Sequence, residues 1–316
     1  MGGRTDKAMA SQPGSGAVTA VPVFRDYDQT ALDAQLNLRA RWPEHPQFFE
    51  RWAADSAAIR AARGGELDLA YGSGPEETLD LFPASAGGPA SGDGPVPLLA
   101  FIHGGYWQAL DKSDYSYLAP AFVDRGIAFA SLNYSLAPAA DIGTMIGQVR
   151  CALAWLHKNA GAHGIDPGRI IVAGHSAGGH LAAMALSTDW PGFEAGLPGG
   201  LLAGGCSISG VYDLEPVRLS YHNEVLKIPA DRAAGWSPLH TLPKAAPPLI
   251  VAVGAEETAE FRRQHAEYAT AWQDRGLRLV DVPLPGRHHF SAVDALGEEG
   301  HPLYAAVQQL LSGQVS

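Results

Sequence analysis

Residues 169–178, Arg-Ile-Ile-Val-Ala-Gly-His-Ser-Ala-Gly, constrain this chain more than any other stretch of similar length. The apolar run 169–173 is short and β-branched, and it meets glycine at once, which is the pattern of a buried strand. Small residues follow Ser176 directly and can open a helix. Gly174 and Gly178, two residues either side of Ser176, let the backbone turn tightly without a Cβ clash. A strand, a sharp turn with serine at its tip, and a helix form the setting of a serine nucleophile elbow. Such an elbow requires a sheet whose strand ends there and helices that cover it.

The rest of the chain supplies these parts. Residues 28–62 are rich in Ala, Leu, Arg and Glu, and Pro43 with Pro46 divides them into two helical stretches. At 66–71 and 78–82 polar and apolar residues alternate about Gly72-Ser73-Gly74-Pro75, which reads as an antiparallel strand pair. A Gly, Ser, Ala and Pro loop spans 84–95. Apolar runs at 96–102, 127–132, 169–173, 201–208, 248–253 and 278–282 read as strands, the first two buried on both faces as parallel strands are. Helices are expected over 143–159, where Ile146, Val149, Leu153 and Leu156 form one stripe, and over 258–274. A last helix starts at His301-Pro302 and ends near 311. The expectation is an α/β fold with a mostly parallel central sheet covered by helices and antiparallel strands at its N-terminal side. Segment 211–245 and the first helices are expected to form a small cap. Residues 1–20, loose in composition, read as a flexible tail, and 21–316 as a single domain.

A serine hydroxyl is a weak nucleophile until a base removes its proton, and the base must be oriented by an acid. After the 278–282 strand come His288 and His289, either of which could be the base. After the 248–253 strand come Glu256 and Glu257, either of which could be the acid. The 32 residues from 257 to 289 leave room for one helix and one strand between acid and base. Negative charge developing on a substrate oxygen needs backbone N–H donors. His103-Gly104-Gly105-Tyr106-Trp107 follows the 96–102 strand, which places Gly105, Tyr106 and the Ala177 amide as donors. Gly104, Trp107 and His175 are expected to line the substrate pocket.

Several function classes are disfavoured. The formal charge of −11, with no dense basic stripe, opposes nucleic-acid binding. No apolar run reaches the roughly 18 residues of a membrane span, and the N-terminus has no secretion-signal core. A cytoplasmic protein acting on a small-molecule substrate is expected, and a homodimer is left open. Cys151 and Cys206, far apart in apolar surroundings, read as buried thiols. His103, His175 and His180 lack a carboxylate at metalloprotease spacing, so no metal is expected, and no glycine spacing implies a nicotinamide cofactor.

Taken together, HGGYW at 103–107, GHSAGGHL at 174–181, GVYDL at 210–214, VGAEETAEFRRQ at 253–264 and HHF at 288–290 resemble the α/β-hydrolase fold. Within it they are similar to the hormone-sensitive-lipase-like esterases and more closely to the kynurenine formamidase group. Broader lipase-like relatives carry a third glycine where this chain has Tyr106. The resemblance covers roughly 28–312 and implies Ser176 as nucleophile, Glu257 as acid and His289 as base. The acid of that group is commonly aspartate, so Glu257 departs from it by one methylene. The activity implied is hydrolysis of an aryl formamide such as N-formylkynurenine through an acyl-enzyme, the alternative being a carboxylesterase acting on small or aromatic esters.

Overall fold

The computed structural model describes residues 1–2, 21–88 and 94–313, so the expected tail at 1–20 lies outside the described residues but for its first two. Eight strands form one sheet: β1 (Glu66–Ala70), β2 (Thr78–Phe82), β3 (Val96–Ile102), β4 (Ala128–Leu132), β5 (Ile165–His175), β6 (Gly204–Ile208), β7 (Leu249–Gly254) and β8 (Leu279–Leu284). Their order is β1-β2-β4-β3-β5-β6-β7-β8. The β1/β2 and β2/β4 pairs are antiparallel and the other five are parallel. This is the α/β-hydrolase fold with its antiparallel N-terminal edge. The elbow strand is longer than the apolar run indicates, because Ile165 pairs with Val96 across an irregularity before the regular register begins.

Register decides where the site lies. Ile102 sits opposite Gly174, and His175 opposite Ile208, so β3, β5 and β6 end at one level. The loops leaving their carboxyl ends converge there, the usual position for ligands in open α/β sheets. The helix Ile142–Asn159 buries the expected stripe and starts at Asp141, whose side chain accepts from the Thr144 amide.

Above that edge stand α1 (Gln29–Leu36), α2 (Leu38–Arg41) and α3 (His45–Ala62). The chain also breaks at Asn37, which ends α1 and whose side chain caps α2 through the Ala40 amide, so the two stretches expected from the prolines are three helices. Ser56 on α3 accepts from the Tyr117 amide. Asp294 accepts from Trp52 Nε1 at 3.2 Å and Tyr117 Oη at 3.1 Å. Segment 211–245 contributes short helices at Glu215–Leu219, Asn223–Leu226 and Ala230–Ala233. Gln29 Nε2 donates to the Leu219 carbonyl, and the Tyr221 amide donates to Asp33, which ties this segment to α1. The expected cap is therefore present and is laced from both pieces.

Cys206 is buried in β6, but Cys151 is exposed, contrary to the expectation of two buried thiols. Cys151 falls on the outer side of its helix, whose inward stripe is Ile146, Val149 and Leu153. No helix among the described residues is long and apolar enough to cross a membrane.

One buried charge cluster fixes the sheet edge to the segment that follows the 103–107 loop. Asp80 on β2, fully buried, accepts from Lys112 Nζ at 2.8 Å, pairs with Arg60 of α3, and accepts from the Asp68 amide at 2.9 Å. Removing one partner strands the remaining buried charge, which typically costs several kcal/mol. Asp80→Ala is expected to lower the unfolding free energy by about 3 kcal/mol, read as a shifted denaturant midpoint. A midpoint unchanged from the parent would contradict this role.

Candidate functional site

Ser176 occupies φ 58°, ψ −117°, a strained conformation for a residue with a Cβ. Packing imposes it. A Cβ at Gly178 would overlap the Ile102 carbonyl, and one at Gly174 would overlap the Gly178 carbonyl. The elbow helix Ala177–Leu186 is thereby pressed onto the end of β3, while the Ser176 amide donates to the Ile208 carbonyl of β6 at 2.9 Å. Ser176 stands at the end of the sheet strand yet the residue is only 2 % exposed beneath the cap.

His289 begins the short helix His289–Ala292 in the connection after β8. Its Nε2 accepts from Ser176 Oγ at 3.0 Å, and its Nδ1 donates to Glu257 Oε1 at 2.9 Å. Glu257 and His289 are each 3 % exposed. The two connections meet because a Cβ at Gly254 would overlap the Arg287 carbonyl, and the Glu256 amide donates to that same carbonyl at 3.0 Å. Of the alternatives open in the sequence, Glu256 points to solvent. His288 stacks on Trp42 at 5.2 Å and caps its helix through the Phe290 amide, away from Ser176.

His175 packs against the His289 ring with centroids 4.9 Å apart. Burial, and then the neighbouring His289, push its pKa well below the ordinary histidine range, so the ring is neutral. Its Nε2 therefore carries the hydrogen and donates to the His289 carbonyl at 2.9 Å. The 103–107 loop lies across the elbow: a Cβ at Gly104 would come within 3.2 Å of Ser176 Cβ. Gly105, Tyr106 and Trp107 all have positive φ, at 105°, 51° and 55°. Among the described residues, the amides of Gly105, Tyr106 and Ala177 find no backbone acceptor. Donors so placed beside a serine–histidine–carboxylate chain can stabilise an oxyanion while the histidine moves the proton.

A cavity of about 410 Å³ opens onto Ser176 and His289. Phe49, Trp52, Tyr115 and Phe290 form an aromatic wall, with Gly105, Tyr106 and His175 also in the lining. Two expected pocket residues are not part of that lining. Trp107 is fully buried, edge-on to His180 at 5.1 Å, because its positive φ turns the indole into the core. Gly104 lies beneath the cavity, against the His175 carbonyl. Tyr106 joins loop to cap: its hydroxyl donates to the Leu36 carbonyl at 2.9 Å and its ring stacks on His222 at 3.9 Å.

His103 stacks on Tyr134 at 4.4 Å, and His180 bonds the Trp236 carbonyl at 2.7 Å, so these rings are held apart by separate partners. Among the described residues no three His, Cys, Asp or Glu side chains converge as metal ligands. The cap residues that wall the cavity, Leu38, Arg39, Phe49, Trp52, Tyr221 and His222, were not legible as site residues. The aromatic content of 48–52 was the one available signal, and it is equally the signal of a helix packed on a core.

Comparison with known proteins places this geometry in context. The family model BD-FAE matches residues 87–197, which span β3 to the elbow helix. The kynurenine formamidase of Danio rerio is 34% identical over 75% of this chain and 78% of its own length. Esterase LipQ of Mycobacterium tuberculosis is 30% identical over 85% of this chain and 66% of its own length. A solved structure from a Silicibacter species, assigned provisionally as a thioesterase, is 32% identical, with a TM-score of 0.76 over 88% of this chain and 98% of that one.

Burial lowers the pKa of His180 and of His222 to about 4 in each case, so both rings are neutral in the folded protein at pH 7. An unfolded histidine titrates near 6.5, so between about 6.5 and 4 the unfolded chain binds more protons. Stability is then full above pH 6.5 and falls as the pH drops toward 4. For fully buried His180 alone the loss is on the order of 3 kcal/mol across that window. Urea midpoints at pH 7.5 and 4.5 check it, and equal midpoints would show that neither ring is held neutral by the fold.

Proposed function

We propose that this chain, which belongs to the α/β-hydrolase superfamily, is a serine esterase acting on small and aromatic acyl substrates. The observation that carries the reading is the continuous hydrogen-bonded path from Glu257 through His289 to Ser176 at the base of an aromatic-walled cavity. Acyl-transfer hydrolysis of the same class is named for two of the three similar proteins, an esterase for the mycobacterial one and a provisional thioesterase for the Silicibacter one.

In this reading Ser176 Oγ attacks the acyl carbonyl as His289 Nε2 takes its proton. Glu257 holds the ring with Nε2 facing the serine and stabilises the imidazolium. His175, through the His289 carbonyl, fixes the start of the same short helix. The Gly105, Tyr106 and Ala177 amides receive the oxyanion. Collapse of the tetrahedral adduct expels the alcohol or phenol, which takes the proton from His289. A water molecule, deprotonated by the same ring, then frees the acid and restores Ser176. Each residue acts in both halves of the cycle, so no cofactor is required by this scheme.

The formamide reading retains support from one observation, the likeness to the Danio kynurenine formamidase over three quarters of both chains. It differs in the acyl group, formyl, and in an arylamine leaving group. An ester site with an apolar acyl pocket gains roughly 0.8 kcal/mol per buried CH₂, so its rate should hold or rise from acetyl to butyryl. A formamidase should lose rate steeply along that series.

With p-nitrophenyl esters, kcat/KM is expected to hold or rise from acetate to butyrate and to exceed that for N-formylkynurenine. A tenfold advantage for N-formylkynurenine would transfer the assignment to the formamide. Ser176→Ala is expected to lower kcat by roughly 10⁶, and an organophosphate should label Ser176 alone in intact-mass and peptide analysis. Near-normal turnover by S176A would overturn the nucleophile.

A further inference from the structure

The charge of the cavity runs against the charge of the chain. The protein carries a formal −11, yet the cavity lining contains no aspartate, glutamate or lysine, and Arg39 is its sole arginine. Burial keeps the His175 and His222 rings neutral, and Glu257 stands behind His289, outside the lining. Arg39 is exposed on α2, where its guanidinium lies over the Phe49 ring at 5.7 Å, along the aromatic wall.

Most other arginines near the cap are committed, and Arg41, which also lacks a carboxylate partner among the described residues, lies over the Trp42 ring at 6.0 Å and outside this cavity's lining. Arg25 pairs with Glu267, Arg51 with Asp294 and Arg60 with Asp80. Among the described residues Arg39 has no such carboxylate partner. Asp33, on the preceding helix, accepts instead from Gln29 Nε2 at 3.1 Å and from the Tyr221 amide at 3.0 Å. A guanidinium is charged at every working pH and presents a planar fork that fits a carboxylate with two hydrogen bonds. Stacked on Phe49, it has fewer orientations to lose when an anion arrives.

We propose that Arg39 is a specificity-determining residue that binds a carboxylate on the aryl portion of the substrate. The preferred substrates are then aryl esters that carry an anionic group. The acyl carbon is held at Ser176, the ring lies along Phe49, Trp52 and Phe290, and the carboxylate meets Arg39. The placement of the acyl end rests on Ser176 being the acylated residue; the recognition of the anion does not. A positive charge at the cavity also draws such anions toward a protein that otherwise repels them.

The test pairs 4-acetoxyphenylacetate with its neutral isostere, 4-acetoxyphenylacetamide. The parent protein is expected to favour the carboxylate at least tenfold in kcat/KM, with most of the difference in KM. In Arg39→Gln that ratio should fall to near one, in Arg39→Glu it should invert, and Arg39→Lys should restore part of it. A parent ratio near one, or a ratio that survives Arg39→Gln, overturns the proposal. Dissociation constants of both compounds for Ser176→Ala, with and without Arg39→Gln, read the same preference without turnover. Failure of the serine chemistry with an intact Arg39-dependent binding preference would remove the esterase reading alone. Loss of the preference with turnover intact would remove the Arg39 assignment alone.

Discussion

The backbone of Gly178 lies against the carbonyl of Ile102 with no room for a side chain, and this approach of the elbow helix to the end of β3 organises the whole site. Because the helix cannot back away, the chain between β5 and the helix must reverse within one residue, and Ser176 takes up the strain. The same approach brings the 103–107 loop over the elbow, so the loop amides of Gly105 and Tyr106 and the Ser176 hydroxyl are positioned by one contact. The parallel register of β3, β5 and β6 supplies the rigidity that such a strained turn needs. Strain at the serine is therefore sustained by sheet packing.

A second layer of control comes from the cap. The helices α1–α3 contribute little to the sheet, yet they close the space above Ser176 and turn an edge loop cluster into a cavity. Their attachment is directed at the machinery: Tyr106 of the loop bonds the Leu36 carbonyl, and Trp52 bonds Asp294, five residues beyond His289. Displacing the cap would therefore disturb the loop and the His289 segment together. It would also admit water around charges whose interaction depends on a dry, low-dielectric setting.

Electrostatically the site separates its tasks by burial. Histidines that flank it, His175, His180 and His222, are held neutral by desolvation and serve as hydrogen-bonding and stacking elements. His289 faces a carboxylate on one nitrogen and a hydroxyl on the other, so both ring nitrogens are engaged. Glu257 lies outside the cavity lining, so its carboxylate faces the His289 ring and not the cavity. What the cavity presents is the guanidinium of Arg39 at one place and apolar rings elsewhere.

The parts of this protein that obey local rules were legible in its sequence. The strand-glycine-serine-helix order at 169–178, the apolar stripe of 143–159 and the alternation at 66–82 each report a backbone geometry that few other residues would allow, and the sheet and its helices follow. Serine, glutamate and histidine could be narrowed to Ser176, to Glu256 or Glu257 and to His288 or His289, since each follows a strand that must end at the same edge. Local pattern left the adjacent pairs open and only the family resemblance favoured Glu257 and His289; the physical reason lies in the turns after β7 and β8, where a close backbone contact at Gly254 accompanies a buried Glu257 beside an exposed Glu256. Trp107 reads as a pocket residue by proximity to the loop, yet a positive φ sends it into the core. Arg39, Phe49, Trp52 and His222 lie far in sequence from the serine and obey only the general pattern of surface helices. The way the cap docks brings them to the cavity, and docking is set by shape and buried area between distant segments, which local sequence pattern does not encode.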